Sequence, residues 1–279
     1  LVSVQHLLPR TSDFEPSDPT MDNPATKARN RDHISRICAL TYKTLCTKLE
    51  ADKDLDRPAA DLIIFPEVGV HISDQDLLKR LAEKTRSIVF AGMIFVEHNN
   101  EIVNLARWFV PDYTDTGRQW IIRDQGKAFL TKIEKKFGVS PYRPCQHIIE
   151  VQSKSWEKIS ITGSICYDAT DLRLASDLKD KTDLFVIVAH NKDVSTFDTM
   201  ASALHYHMYQ HVALVNKAEF GGSTMQAPFS ERHHRLISHA HGMDQISINI
   251  ADLDLQLDKF DSPKSKSGVQ KHIKTPPAG

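Results

Sequence analysis

The chain has 279 residues, 41% hydrophobic and 25% charged, an ordinary balance for a globular protein. Thirty-five Lys and Arg against 36 Asp and Glu leave a net charge of −1, which excludes the strong field of a nucleic-acid or membrane-surface binder. No apolar run reaches the length of a membrane span, the N-terminus lacks a signal peptide's layout, and four cysteines without paired spacing make no disulfide framework, so a soluble, cytoplasmic setting is expected.

The chain starts at Leu1, already inside the apolar run Leu1-Val2-Ser3-Val4, which suggests a processed or excised piece of a longer protein. Leu1 to Leu7 alternates apolar and polar residues as a strand does, and Pro9 to Pro24 is a polar, Pro- and Asp-rich loop. From Lys27 the period is helical: Ile34, Ile37, Cys38, Leu40, Thr41, Leu45 and Leu49 recur at helical steps, and Pro58 closes the segment. Asp61 to Phe65 is a continuous apolar run, the mark of a strand buried on both faces, and Pro66 to Gly69 reads as a turn. A helix from Leu77 to Ala82 follows, then strands over Ser87–Val96, Ile102–Val110 (with Asn104 inside it), Trp120–Ile122, Ile148–Val151 and Ile159–Cys166. Beyond them come a helix over Leu172–Leu178, a buried strand over Leu184–Ala189, a helix from about Thr199 to His211 and a third buried strand over Val212–Asn216. Short strands near Thr224, Leu236 and Ile246–Ile250 complete the series, and the Pro-, Ser- and Lys-rich stretch from Asp261 to Gly279 reads as a flexible tail. Strands and helices alternate without a break, which predicts one α/β domain over residues 1–260.

Three polar residues stand where strands end: Glu67, Cys166 and Asn191. In α/β sheets the carboxyl ends of strands are where ligand sites collect. Cys166 also sits at a strand-to-helix junction, where an exposed elbow and the positive end of the helix dipole favour a thiolate. A fourth candidate is Lys132, in Phe129-Leu-Thr-Lys-Ile-Glu-Lys-Lys-Phe137, with aliphatic neighbours on both sides. His205, His207 and His211 fall on one predicted helix, and His233, His234, His239 and His241 cluster later. No Cys or carboxylate completes either set at a recognised metal spacing, and no metal site is expected.

Asp61-Leu-Ile-Ile-Phe-Pro-Glu67, Leu130-Thr-Lys132-Ile and Gly163-Ser-Ile-Cys166-Tyr-Asp168 resemble, in order, the three signatures of the carbon–nitrogen hydrolase (nitrilase) superfamily. Thr182 to Asn191, Gln210 to Asn216 and Gly221-Gly-Ser223 resemble its second half, so the likeness runs from about Leu1 to Leu255. The resemblance implies an α-β-β-α sandwich of two mixed sheets and a Glu67–Lys132–Cys166 triad without metal or organic cofactor. Cys166 would attack an amide or nitrile carbon, Glu67 would shuttle the proton, and Lys132 with the backbone N–H of Tyr167 would stabilise the oxyanion, with Asn191 as a further substrate-binding candidate. The sequence departs from the family pattern in three places. Glu134-Lys135 follows Lys132 where a His-Leu pair is usual, Phe137 to Pro144 holds no glutamate, and Arg173 comes later after Asp168 than the pattern has it.

The implied function is hydrolysis of a non-peptide carbon–nitrogen bond, an amide before a nitrile or carbamoyl group. A second reading is a weakly catalytic or inactive assembly module of a larger protein, by analogy with nitrilase-like domains fused to some bacterial reverse transcriptases of antiviral defence. A third is acyl transfer to an amine by the same triad. The family also implies a homodimer or higher oligomer, and specificity is expected from the loops Pro9–Pro24, Pro111–Gly117 and Gly138–Cys145.

Overall fold

In the computed structural model, residues 1–52, 60–114, 117–152 and 158–255 are described. Pro58, part of the Pro111–Gly117 loop and the expected tail lie outside them. In chain order the strands are β1 (Val2–Gln5), β2 (Leu62–Val70), β3 (Ile88–Met93), β4 (Val96–His98), β5 (Glu101–Val103), β6 (Leu105–Thr114), β7 (Gly117–Gly126) and β8 (Val139–Ser140). The second half supplies β9 (Ile148–Gln152), β10 (Lys158–Ile165), β11 (Leu184–Val188), β12 (His211–Val215), β13 (Ser223–Gln226), β14 (Leu236–Ala240) and β15 (Ser247–Ile250). The helices are α1 (Pro24–Asp52), α2 (Gln75–Thr85), α3 (Lys132–Lys136), α4 (Leu172–Leu178), α5 (Val194–Met208) and α6 (Arg232–Arg235).

Two six-stranded sheets form, in the orders β15-β1-β2-β3-β6-β7 and β14-β13-β12-β11-β10-β9. Each has the same plan. Three central strands run parallel, β1-β2-β3 in one sheet and β10-β11-β12 in the other, and antiparallel strands flank them.

Side-chain alternation builds the layers. In β2, Leu62 and Ile64 join one core cluster while Ile63 and Phe65 join another, as the two-residue period of a strand requires. Ile63 and Phe65 pack with Ile34, Ile37 and Leu45 of α1 and Leu77, Leu78 and Leu81 of α2. Leu62, Ile64, Phe90 and Trp108 share their cluster with β10–β12 and with Leu174, Leu178, Phe197 and Leu204 of α4 and α5. The order is therefore helix, sheet, sheet, helix, the sandwich that the resemblance implied. Phe90 and Trp108 stack at 4.0 Å between ring centroids, and a Cβ on Gly163 of β10 would stand 2.6 Å from the Phe90 ring. A glycine at that point lets the second sheet close over the aromatic pair.

Local chemistry sets the helix ends. The Asn23 side chain accepts from the N–H groups of Ala25 and Thr26, and Pro24 occupies the first helical position, so α1 starts before Lys27. Asp193 accepts from the Thr196 N–H at 3.2 Å, so α5 begins at Val194 rather than near Thr199. It ends at Met208 because Tyr209 turns left-handed with φ of 53°. His211 consequently belongs to β12, so the expected helix carrying His205, His207 and His211 together does not form. Leu40, expected on the buried face of α1, is exposed.

Two expected strands are split. Ser87–Val96 becomes β3 and β4, and Ile102–Val110 becomes β5 and β6, parted at Asn104. The fragments form a small third sheet in which β4 pairs with β5 and β5 with β8. Conversely, the expected strand over Trp120–Ile122 is the middle of β7, which continues to Gly126, and residues 111–114 extend β6 instead of forming a loop.

Candidate active site

The expected turn at Pro66–Gly69 lies inside β2 as a bulge. Phe65 pairs with Ala91 and Val70 with Met93, so four residues of β2 stand opposite Gly92 alone. A Cβ on Gly92 would run into the Glu67 Cα and the Pro66 carbonyl, so glycine is required there. Val68 takes φ of 44° to complete the bulge. The result aims the Glu67 carboxylate inward, 3% exposed.

Three groups hold that carboxylate. Lys127 Nζ donates to Oε1 at 2.8 Å, Asn104 Nδ2 donates to the same oxygen at 2.8 Å, and the His190 backbone N–H donates to Oε2 at 2.8 Å. Lys127 also donates to both oxygens of Glu134, at 2.9 and 2.8 Å, and Asn104 bridges to Glu134 at 2.6 Å. The lysine between the two acids is thus Lys127. Lys132, expected in that place, is the first residue of α3 and stands exposed on the cavity wall.

The reason is local. Thr131 and Glu134 form a capping box: the Glu134 N–H donates to Thr131 Oγ1 at 3.2 Å, and the Thr131 N–H donates to Glu134 Oε2 at 2.7 Å. The cap starts the helix at Lys132 and turns Glu134 into the site. Lys127 follows Gly126 at the carboxyl end of β7, where a Cβ would collide with the Tyr142 carbonyl and the Tyr142 N–H donates to Lys127 O at 2.8 Å. The rule that marked Glu67, Cys166 and Asn191, a polar residue at a strand's end, applies to Lys127 once β7 is given its full length. Thr-x-x-Glu was likewise a readable sign for Glu134. Glu150, the other nearby acid, is exposed and pairs with Lys158.

Cys166 is where the sequence put it, at the turn from β10 through a 3-10 segment, Cys166–Thr170, to α4. Its φ of 49° lies in the left-handed region, a strained geometry for a residue with a Cβ. Asp168 ties this elbow to the lysine loop, accepting from the N–H groups of Ala128 and Phe129 at 2.9 and 2.7 Å and from Arg143 at 3.2 Å. Asp171, the α4 N-cap, takes the other Arg143 nitrogen at 3.3 Å.

The expected exposed thiolate is not found. Cys166 is 1% exposed. Burial first, then the negative charges of Glu67 and Glu134, push its thiol well above the ordinary 9.0, and Lys127 offsets this only in part. Burial would raise the Glu67 carboxyl, but the charge and hydrogen bond of Lys127, with help from His190 and Asn104, bring it below the ordinary 4.5. Burial works against the Lys127 charge, yet Glu67, Cys166 and Glu134 together hold it above 10.5. Two carboxylates and one ammonium leave a net negative site, so a third charge, a thiolate, is disfavoured until something carries charge away.

These groups line a cavity of about 560 Å³, together with Tyr167, Asn191 and a wall of phenylalanines. Tyr167, the residue after the thiol, is half-exposed at its edge. The Asn191 Oδ1 accepts from the Asp193 N–H at 2.7 Å and its backbone is locked to Asn216, so that side chain is committed to holding the loop. Of the three loops expected to shape specificity, Pro9–Pro24 reaches the cavity, through Thr11 and Phe14; among the described residues, neither of the others does. The arrangement can deliver a sulfur nucleophile, accept its proton on an adjacent carboxylate and place a buried cation beside both.

No protein-family model and no curated protein matches the sequence. Solved structures do match its fold. A CN-hydrolase superfamily protein of Xanthomonas campestris with an arsenic adduct in its active site superimposes with a TM-score of 0.57 at 16% identity, over 90% of this chain and 89% of that one. A mutant of the amidase from Nesterenkonia sp. AN1, described with acrylamide added to its active-site cysteine, gives 0.60 at 14% identity over 91% and 94%. Nit3 of Saccharomyces cerevisiae, a member of branch 10 of the nitrilase superfamily, gives 0.56 at 16% identity over 88% and 86%. This chain has the fold of the CN-hydrolase, or nitrilase, superfamily.

Proposed function

We propose that this protein is a cysteine-dependent hydrolase of a non-peptide carbon–nitrogen bond, an amide first, working through a thioester on Cys166. The observation that carries the reading is the single cavity that Cys166, Glu67, Lys127 and Glu134 line together, with Lys127 bonded to Glu67 at 2.8 Å and to Glu134 at 2.8 and 2.9 Å. It is supported by the described active-site cysteine of the amidase that shares the fold.

In this mechanism the nucleophile is delivered as a thiol. As sulfur attacks the carbonyl carbon, its proton passes to Glu67, which lines the same cavity. Negative charge moves from Glu67 to the carbonyl oxygen, so the net charge of the site is unchanged while the bond forms. Lys127 and the backbone N–H of Tyr167 stabilise that oxygen, each such donor contributing about 3–4 kcal/mol. Glu67 then gives its proton to the departing amine, and the thioester remains. Water replaces the amine, Glu67 takes one of its protons, and collapse of the second tetrahedral adduct releases the carboxylic acid and restores the thiol.

Glu134 acts through Lys127. It keeps the ammonium buried and aimed, and it balances the charge that would otherwise bind Glu67 too tightly to serve as a base. The test is ammonia or amine release from a panel of amides by the wild type, Cys166→Ala and Glu67→Gln, with intact-mass detection of an acyl adduct. Loss of turnover in both variants with folding retained is expected, and unchanged turnover in Cys166→Ala would overturn the reading.

A further inference from the structure

Phe14, Phe95 and Phe137 stand with ring centroids 5.5, 6.1 and 6.2 Å apart, and all three line the cavity that holds Cys166. The wall continues through His190, 6.3 Å from Phe14, to Phe220, 5.4 Å from His190. Five rings therefore form one continuous run along the wall of the cavity that Cys166 also lines. Phe14, Phe137 and Phe220 are only partly buried, so their rings keep surface that no protein atom covers.

The polar groups in this wall are already engaged. His190 Nε2 lies 3.1 Å from Thr11 Oγ1 and 3.3 Å from Glu219 Oε2. Thr11 donates to the same Glu219 oxygen from its N–H at 2.8 Å and its hydroxyl at 3.0 Å. Burial would raise the Glu219 carboxyl, but the bonds from His190 and Thr11 bring it down to about 2, so the acid stays ionised and stays committed to them. No arginine lines the cavity among the described residues, and its two lysines beyond Lys127, Lys132 and Lys192, are exposed. Away from the Glu67–Lys127–Glu134 set the described lining holds no buried charge to pair with a charged substituent, whereas an apolar ring would be covered by rings in tilted and edge contacts. The volume, about 560 Å³, lies within the usual range for pockets that enclose drug-sized ligands, and it leaves room beyond a bare amide group.

We infer that the site takes an uncharged amide bearing an aryl or arylalkyl group, seated on the Phe14–Phe95–Phe137–Phe220 wall with its carbonyl toward Cys166. This rests on the proposed hydrolysis for the orientation of the amide, but the binding claim can be tested without turnover. The experiment uses the full chain carrying Cys166→Ala and titrates phenylacetamide, N-benzylacetamide, acetamide and propionamide, followed by ligand-detected NMR or calorimetry. At least one aryl amide should bind roughly tenfold or more tightly than the aliphatic pair, a preference of the size apolar pockets achieve. Phe14→Leu and Phe220→Leu, which keep an apolar side chain and so the fold, should each remove a large part of that preference.

Equal binding of aryl and aliphatic amides would overturn the inference, as would a preference untouched by both leucine variants. Wild-type protein that binds aryl amides with this preference but hydrolyses none would sink the proposed reaction and leave the pocket assignment standing. Wild-type protein that hydrolyses acetamide with the same kcat/KM as phenylacetamide, and whose Cys166→Ala variant binds both alike, would do the reverse.

Discussion

At Lys127 three N–H donors meet three carboxylate oxygens, so the ammonium is saturated before a substrate arrives. Helping an oxyanion therefore means sharing or surrendering one of these bonds, and the one to Glu67 weakens by itself when Glu67 takes the thiol proton. Lys127→Met would leave two buried carboxylates without their counter-charge, a loss of about 3–5 kcal/mol in stability together with activity. Lys132→Ala, at an exposed helix start, should change stability by less than about 0.5 kcal/mol. Urea unfolding of the two variants settles the ranking. The pH dependence follows from the same contacts. Glu67 is depressed below 4.5 when folded, so its ionisation stabilises the fold above that pH and the contribution is lost as pH falls through the folded value. Because Cys166 and Lys127 are both raised, kcat/KM should be flat from about pH 5.5 to 8.5 and fall only toward acid. A rate that climbed steadily through neutrality would instead mean that a preformed thiolate is the attacking species.

Glu67, Asn104 and Cys166 of the candidate site each depend on a distortion in the element that carries them. The β2 bulge sets Glu67, the strand break at Asn104 frees an amide to bridge both acids, and the left-handed turn sets Cys166. Gly92→Ala would press a methyl group into the bulge. About 1–3 kcal/mol of stability should be lost, with activity falling more than stability explains because Glu67 is displaced. Asp168 connects two elements, the elbow and the lysine loop. Asp168→Ala leaves the Ala128 and Phe129 N–H groups without their acceptor and Arg143 with Asp171 alone, so a marked drop in Tm is expected. Arg143→Ala should cost less, since that side chain is 22% exposed and water can replace it.

The whole molecule places these elements by closing one sheet on the other. Phe90 and Trp108 from the first sheet meet Gly163 of the second, three residues before Cys166, so the intersheet contact and the position of Cys166 are linked. Trp108→Ala would open a cavity at that junction and should cost about 3–5 kcal/mol, measured by chemical denaturation. Among the described residues no helix is long and apolar enough to cross a membrane.

The alternation of the main strands and helices, the two-sided burial of the central strands and the position of Cys166 at the end of β10 were determined by the sequence alone. Hydrophobic period and turn chemistry are local properties, and they survive in a linear reading. The choice of lysine was decided only by the tertiary structure. Lys132 has the more apolar neighbours in sequence, but a capping box turns it outward, while Lys127 is buried by β2, by α3 and by a glycine that lets Tyr142 approach. The protonation of Cys166 was decided the same way. A helix start suggests a thiolate, but burial first and then the charges of Glu67 and Glu134, brought from distant segments, outweigh it, and neither is a property of the Cys166 segment by itself.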